Sequence, residues 1–458
     1  MSAIELTSIR HQTHAGRPYQ HLHIHLTQTQ IGLEDLKSLT FPQLLAPNLG
    51  IVLEGKAPLW LYGYLAQHYQ SVPWIACYEP RLMGAVVAVD RTHTGLLGQV
   101  LPLKLPLQAF RKIHPEPQAS SESQVAVMNA RLQLQVTALS TVRGNCQAIV
   151  LNITNRTDSD APISIMGGKK TLSNLIAPQA LAELELPENL NLDREVVLFG
   201  SGPTWLLVHL LERCRQSPWV GFYDLRLKQV VVVSSQSTKV PVASGVAVSF
   251  NRTPGVAILI GGPPDSGKSV FSNALRLSLA HHRPDLKVYL HRANWDGESN
   301  ASYEMPQTLA KQLASENEIK LHLQENASQL ICNYFQYHAR AIANIRTVMD
   351  VVLVDVGGLP QPEKAAVVEK CTHYIVISSK PEKIQEWHEL CGSTLTPILT
   401  IHSKLENCLT VLRQQPHLEV EAGPWLRGKT QEIPNPLLNE ILRLIQHNLE
   451  DFSEDIAS

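Results

Sequence analysis

The sequence predicts a multidomain α/β protein: two tandem small α+β domains, then a phosphate-loop domain with a mainly parallel sheet and helices on both faces. Three observations carry this. Residues 55–82 and 200–227 repeat one another, strand and helix signals alternate from about residue 250, and a G-x-x-x-x-G-K-S run lies between a strand and a helix. With roughly 100–200 residues per domain, a chain of 458 residues has room for two to four.

The repeat comes first, because without it the fold would be misread. GKAPLWLYGYLAQHYQSVPWIACYEPRL at 55–82 aligns without a gap on GSGPTWLLVHLLERCRQSPWVGFYDLRL at 200–227, at an offset of 145, with 10 of 28 positions identical. In each copy an apolar strand (Gly50–Leu53, Glu195–Phe199) meets a Gly/Pro turn. A short amphipathic helix follows, with Leu61 and Leu65, or Leu206 and Leu210, four apart. Pro73 or Pro218 precedes the next strand, Trp74–Tyr78 or Trp219–Tyr223, and a β-branched run follows at Ala85–Val89 or Val230–Val233. Upstream of each copy is an alternating hairpin, Ile4–Ile9 with His21–Leu26 and Leu132–Leu139 with Ala148–Thr154. The expected domains are 1–112 and 128–240, joined by a Pro/Ser-rich linker at 113–127.

The third domain is expected at 250–458. Val256–Ile260 reads as a buried strand, and an apolar helix runs from the glycine-rich loop to about Ala280. Further strands are expected at Lys287–Leu290, Val351–Val356, Tyr374–Ser378 and Pro397–Ile401, with helical segments between them. Residues 451–458 read as a solvated acidic tail.

Composition narrows the function classes. Hydrophobic content of 44% with 17% charged residues excludes a largely disordered chain. No run approaches the ~18 apolar residues of a membrane span, and MSAIELTSIR has no signal-peptide layout, so the expectation is cytoplasmic with no membrane partner. Seven Cys without a C-x-x-C pair argue against a disulfide framework or a zinc knuckle. A net charge of −2 excludes a protein that coats nucleic acid by bulk electrostatics, and no DNA partner is expected. The charge is unevenly placed: residues 1–112 carry nine Lys/Arg and six Asp/Glu, 128–240 eleven and nine, and 241–458 nineteen and twenty-four.

Gly262-Pro263-Pro264-Asp265-Ser266-Gly267-Lys268-Ser269 has the spacing of a nucleotide phosphate loop. Its glycines let backbone amides turn toward the phosphates, Lys268 neutralises them, Ser269 holds Mg2+, and the helix dipole adds to the field. ATP and Mg2+ are the expected cofactors. Asp355, ending the apolar run Val351–Val354, is the expected second-shell partner of the metal, so Ser269 and Asp355 form the metal site. Residue 356 is Val where many hydrolysing ATPases place a Glu. Asp355-Val-Gly-Gly358 instead has the Asp-x-x-Gly form of a switch that senses the γ-phosphate through a backbone amide. A slow nucleotide switch and a kinase both fit.

Asp296 and Glu298 follow the second strand of this domain, as a metal site, a base or a substrate contact, or as an acidic turn capping the next helix. In the front copies Glu79-x-Arg81 and Asp224-x-Arg226 each occupy a strand end, where residues i and i+2 share a face. Arginine grips phosphate through two hydrogen bonds, and an acid orients a hydroxyl or binds metal. The alternative is a structural ion pair. His21, His23 and His25 stripe one face of a strand, as a metal site or a solvated or subunit-facing surface.

Residues IVLEGKAPLWLYGYLAQHYQSVPWIACYEPRLMGAVV resemble the core of the small CRISPR-associated ring nucleases of the Csx/Crn type, in a form fused to a C-terminal phosphate-loop domain labelled AAA. The resemblance is strongest over residues 1–110, looser over 130–240, and rests on nucleotide motifs beyond 250. It implies two ferredoxin-like domains and degradation of cyclic tetra-adenylate, the type III CRISPR second messenger. Binding between subunits of a homo-oligomer, antiviral defence and Mn2+ as a further metal are also implied. A ribose 2′-hydroxyl would attack the adjacent phosphate, with Arg81 and Arg226 stabilising the charge.

The catalytic set implied is Glu79, Arg81, Asp224, Arg226 and His68. The sequence departs from the family's Asp-Pro-Arg triplet, with Glu79-Pro80-Arg81 in one copy and Asp224-Leu225-Arg226 in the other. Gln70-Ser71 and Arg215-Gln216 stand where the family has a histidine; His68, His93 and His209 are the nearest candidates. Two other functions fit the same motifs: an inactive cyclic oligoadenylate or RNA sensor coupled to an ATPase, and a phosphate-loop kinase with structural N-terminal domains.

Overall fold

The computed structural model describes residues 2–103, 105, 130–155, 175–250, 252–427 and 432–454. The chain divides into two compact units, Met1–Asp224 with Lys228–Ser249, and Leu225–Leu227 with Phe250–Ser458. The linker expected at 113–127 lies outside the described residues.

In the first unit, β1 (Ile4–Gln12) and β2 (Pro18–Leu26) form the expected antiparallel hairpin, in register Ile4 to Leu26. A one-turn helix, α1 (Leu33–Lys37), lies on the way to β3 (Gly50–Gly55), which runs parallel to β2. The crossover α2 (Leu59–His68) starts at Pro58 and buries Leu61 and Leu65. It leads to β4 (Trp74–Glu79), parallel to β3, and β5 (Gly84–Asp90) and β6 (Val100–Pro102) complete the sheet. β3 and β4 sit inside this sheet, which is why they read as continuous apolar runs.

The second copy repeats the plan with β7 (Ala130–Thr141), β8 (Gly144–Asn155), β9 (Val196–Phe199), α3 (Thr204–Arg213), β10 (Trp219–Asp224), β11 (Gln229–Ser235) and β12 (Gly245–Ala247). Both sheets have six strands in chain order, β1-β2-β3-β4-β5-β6 and β12-β11-β10-β9-β8-β7. This corrects the ferredoxin-like expectation. A split βαβ arrangement places another strand between the two that its helix connects. Here α2 and α3 each join strands that are hydrogen-bonded neighbours.

The two copies pack into each other. α2 lies on β10 and β11 of the second copy, and α3 on β4 and β5 of the first. A Cβ on Gly63 would sit 2.4 Å from the Phe222 ring, so glycine permits the close approach of α2. Gln70 and Arg215, equivalent positions of the repeat, are hydrogen-bonded to one another. Contact between equivalent positions is the mark of two-fold packing, here within one chain.

In the second unit β13 (Val256–Gly261) leads through the phosphate loop into α4 (Lys268–His282), and β14 (Val288–Ala293) follows. After α5 (Gln307–Asn317) and α6 (Ala327–Arg346) come β15 (Val351–Val356), the single turn α7 (Ala365–Val368) and β16 (His373–Ser378). α8 (Pro381–Cys391) and β17 (Thr396–Ser403) precede a hairpin, β18 (Cys408–Arg413) with β19 (Leu418–Gly423), and α9 (Asn435–Glu454) closes the unit.

The seven strands run β14-β15-β13-β16-β17-β19-β18, all ladders parallel except β18 with β19. All five expected strands are present. The β18–β19 hairpin was not foreseen, because β18 is an exposed edge with little inward-facing apolar pattern. The expected tail is corrected over 451–454, which continue α9; residues 455–458 lie outside the described residues. Among the described residues no helix is long and apolar enough to cross a membrane.

Candidate functional site

The phosphate loop sits at the C-terminal end of β13, flanked by β15 and β16, where an α/β sheet opens a crevice. Its backbone requires the glycines. Gly262 and Gly267 have φ of 153° and 85°, and Asp265 is left-handed at 60°. A Cβ on Gly262 would lie 2.0 Å from the Ile377 carbonyl oxygen, and one on Gly267 2.4 Å from Trp425 Cβ.

Lys268 is buried, and Ser266 Oγ is buried without a hydrogen-bond partner among the described residues. Asp355 is wholly buried at the end of β15; among the described residues neither carboxylate oxygen has a hydrogen-bond partner, and Arg292 Nη1 lies 3.4 Å from Oδ2. Burial raises its proton affinity, opposed by Arg292, Lys268 and Ser269. Orphaned buried oxygens beside a lysine and a serine hydroxyl fit a hydrated Mg2+ and a nucleotide phosphate chain.

The Asp-x-x-Gly segment packs on this loop. A Cβ on Gly358 would be 2.6 Å from Pro264 N and Cδ. The segment is pinned by Lys364, a residue the sequence reading missed. Its Nζ donates to the Gly357 carbonyl at 2.5 Å and to that of Leu359, and it lies over the Phe335 and Trp387 rings. Burial, reinforced by Lys268, pulls its pKa down to about 7. Nothing in the spacing of Lys364 marks it in sequence, since its neighbours come from α6 and α8.

Asp296 and Glu298 form an ion-pair network. Arg292 Nη2 reaches Asp296 Oδ2 at 3.4 Å and Glu298 Oε2 at 3.3 Å, and Asn294 Nδ2 donates to Asp296 at 2.7 Å. Glu298 also pairs with Arg427 and accepts from the Tyr303 hydroxyl, while both guanidiniums lie over the Tyr303 ring. Despite its burial, these partners hold the Glu298 carboxyl below the usual range. Sequence reasoning missed Arg292 and Arg427 as their partners.

In the first unit, Glu79 ends β4 and Arg81 lies in the one-turn 3-10 helix after it. They form a bidentate pair: Nε to Oε1 and Nη2 to Oε2, both 2.8 Å, with Glu79 buried and Arg81 largely so. The predicted acid and arginine are therefore together.

In the second copy β10 ends at Asp224. Asp224 Oδ2 accepts the Trp60 indole N–H at 2.9 Å, across the seam between the copies, and Leu225–Leu227 group with the other unit.

His68 ends α2, stacked on Phe41 with centroids 3.5 Å apart. The crossover helix ends at the start of β4, whereas Glu79 is at the strand's far end, so His68 is not brought to Glu79 and Arg81. His93 is exposed after β5, and buried His209 Nδ1 lies 2.9 Å from the Ala88 carbonyl oxygen.

The histidine stripe enters a buried cluster. His21 is fully buried, His23 nearly so, and both approach Glu54 at the end of β3, His23 Nδ1 at 2.5 Å and His21 Nε2 at 3.6 Å from Oε2. Despite burial, the two imidazoles bring the Glu54 carboxyl down to about 2. Among the described residues no three His, Cys, Asp or Glu are arranged to hold a metal ion.

Comparison with known proteins adds three kinds of likeness. An uncharacterised Aquifex aeolicus (strain VF5) protein is 38% identical over 71 residues, 15% of this chain, which spans only 64% of that relative's length. Among solved structures, the kinase domain of the Escherichia coli tyrosine kinase ETK aligns at 16% identity over 32% of this chain and 67% of that one, TM-score 0.24. The septum site-determining protein MinD with Mg-ADP from Pyrococcus horikoshii OT3 aligns at 12% identity over 41% and 77%, TM-score 0.24. The signal recognition particle receptor FtsY from Elizabethkingia anophelis aligns at 15% over 34% and 52%, TM-score 0.20. The nucleotide reading therefore rests on the phosphate loop itself. Residues 24–102 and 169–247, one segment in each copy, match the family model of the CRISPR-associated protein Cas_csx3.

Proposed function

We propose that this protein degrades a cyclic oligoadenylate, cyclic tetra-adenylate foremost, to end type III CRISPR signalling, and that ATP with Mg2+ in the second unit regulates that activity or assembly. One observation carries the reading: the Glu79–Arg81 pair stands at the end of β4 inside a segment that matches the Cas_csx3 model. The guanidinium is already oriented by two hydrogen bonds, and phosphate is the anion class that its planar fork grips. RNA brings its own 2′-hydroxyl nucleophile, so the protein's task is alignment and charge stabilisation. The ligand lies between subunits of a homo-oligomer. Lys268, Ser269 and Asp355 would hold the nucleotide and its metal. Mg2+ would supply neutralising charge there, and Mn2+ is the further metal to test at the nuclease site.

A non-catalytic sensor is the second reading. It is favoured by Gln70-Ser71, which stand where the family has a histidine, Gln70 being hydrogen-bonded across the copy seam to Arg215.

Incubating the purified protein with cyclic tetra-adenylate, with and without ATP and Mn2+, tests this. Linear adenylate products that vanish in Arg81→Ala are expected. Tight binding without turnover would establish the sensor. No binding, with ATP consumed only when a small acceptor is added, would establish a kinase.

A further inference from the structure

The duplication supplies an internal control for the His21–His23–Glu54 cluster. The repeat offset of 145 makes Glu54 equivalent to Phe199. Strand register extends the alignment to the hairpins: Gln20 faces Ile51 in β3, and Gln147 faces Val196, its equivalent Val in β9. Two further observations agree. Gln20 and Gln147 each clamp a loop through paired backbone hydrogen bonds, at Gln43 and Leu45 and at Asn191 respectively. A Cβ on Gly55 would strike the Ile24 carbonyl oxygen, and one on Gly200 that of Leu151.

The same alignment makes His21 equivalent to Ala148 and His23 to Val150. The second copy thus fills all three positions with apolar residues, and Phe199 stacks on Tyr223 at 5.0 Å. The fold needs no ionic group there. A carboxylate taken out of water is costly, and apolar replacement of a buried ionic cluster is often neutral or stabilising. The first copy retains the costlier version.

Its position suits a task. His23 pairs with Glu54 in the β2–β3 register, and β4 with Tyr78 and Glu79 is the next strand. At about 4.8 Å between strands, His23 is about 10 Å from the end of β4 that bears Glu79 and Arg81. Buried Tyr62, on the helix that joins β3 to β4, donates its hydroxyl to the carbonyl of Gly55, the residue after Glu54. His23, Glu54 and Glu79 lie toward the C-terminal ends of the parallel strands β2, β3 and β4. The Glu54 carboxylate on Nδ1 holds that nitrogen as the N–H, which puts the basic lone pair on Nε2.

We propose that His23, oriented by Glu54 and backed by His21, is the proton-transferring group of the first copy, and that the second copy has given up this role. This rests on the cyclic oligoadenylate reading above. In the step, the 2′-hydroxyl proton passes to His23 as its oxygen bonds the adjacent phosphorus. The bond from phosphorus to the 5′-oxygen breaks, and that oxygen takes a proton from water. The hydroxide left behind takes the proton from the imidazolium. The products end in a 2′,3′-cyclic phosphate and a 5′-hydroxyl.

The test uses the full chain and cyclic tetra-adenylate under single turnover, with binding measured separately. His23→Gln should lower the cleavage rate by roughly 10²–10⁴-fold with affinity held within a few-fold, the range of general acid–base catalysis. Added imidazole should restore part of the rate to His23→Ala, which a merely structural loss would not allow. Glu54→Gln, acting through His23, should shift the pH–rate profile. The variant carrying His21→Ala, His23→Val and Glu54→Phe should fold, bind and fail to cleave.

Wild-type cleavage matched by His23→Gln overturns this inference and leaves the function standing. Unfolding of the triple variant also overturns it, by making the cluster structural. A wild type that neither binds nor cleaves overturns both.

Discussion

Asp224 separates a seam anchor from a catalytic acid, and the separation can be measured. The Trp60 indole donates to the Asp224 carboxylate at 2.9 Å, with both residues buried. A hydrogen bond to a charged group contributes about 1.5–3 kcal/mol, and a buried donor left without an acceptor costs about 1–3 kcal/mol. Asp224→Ala is therefore expected to lower unfolding free energy by about 2 kcal/mol. Trp60→Phe should cost about the same plus about 1 kcal/mol for lost apolar area.

The double variant should lose less than the sum, with a coupling of about 1.5 kcal/mol. For a unit of this size each kcal/mol shifts the midpoint by about 2–4 °C, so Asp224→Ala should melt about 4–8 °C lower. Differential scanning calorimetry of the four proteins reads the cycle. Additivity to within about 0.5 kcal/mol would refute the contact. Asp224→Asn keeps an acceptor for the indole, so a stable but inactive variant would keep this acid in the catalytic set, and retained cleavage of cyclic tetra-adenylate would confine it to the seam.

Two further outcomes follow from the second unit. Gly358→Ala places a Cβ 2.6 Å from Pro264 and should push the Asp-x-x-Gly segment off the phosphate loop, lowering ATP affinity more than ADP affinity in titration calorimetry. Equal losses would count against γ-phosphate sensing. Lys364 has a folded pKa of about 7 against an ordinary 10.5, so in that window the unfolded chain binds the extra proton and stability rises with pH. Lys364→Met should flatten the slope of unfolding free energy between about pH 7 and about 10.5, and an unchanged slope would exclude a neutral buried lysine.

Local signals were legible in proportion to how little they depended on distant chain. The phosphate loop is contiguous, so its residues, its strand and its helix could all be read directly. Asp355 was readable because it ends an apolar strand. Lys364, Arg292 and Arg427 were not, because each acquires its role from partners on other elements. The pairing of Glu79 with Arg81 was legible as a spacing, whereas the bond from Trp60 to Asp224, 164 residues away, was not. The histidine stripe showed as a pattern, but Glu54, 31 residues from His23, turned it from a surface into a buried cluster.

The sequence by itself determined that a domain is duplicated and that a nucleotide loop follows it, because repeats and contiguous loops are properties of the chain order. Tertiary structure alone decided that the copies interlock, that Trp60 occupies Asp224, and that the first copy carries an ionic cluster where the second has Ala148, Val150 and Phe199. Those follow from strand register and burial, which bring together residues that no spacing in the chain connects.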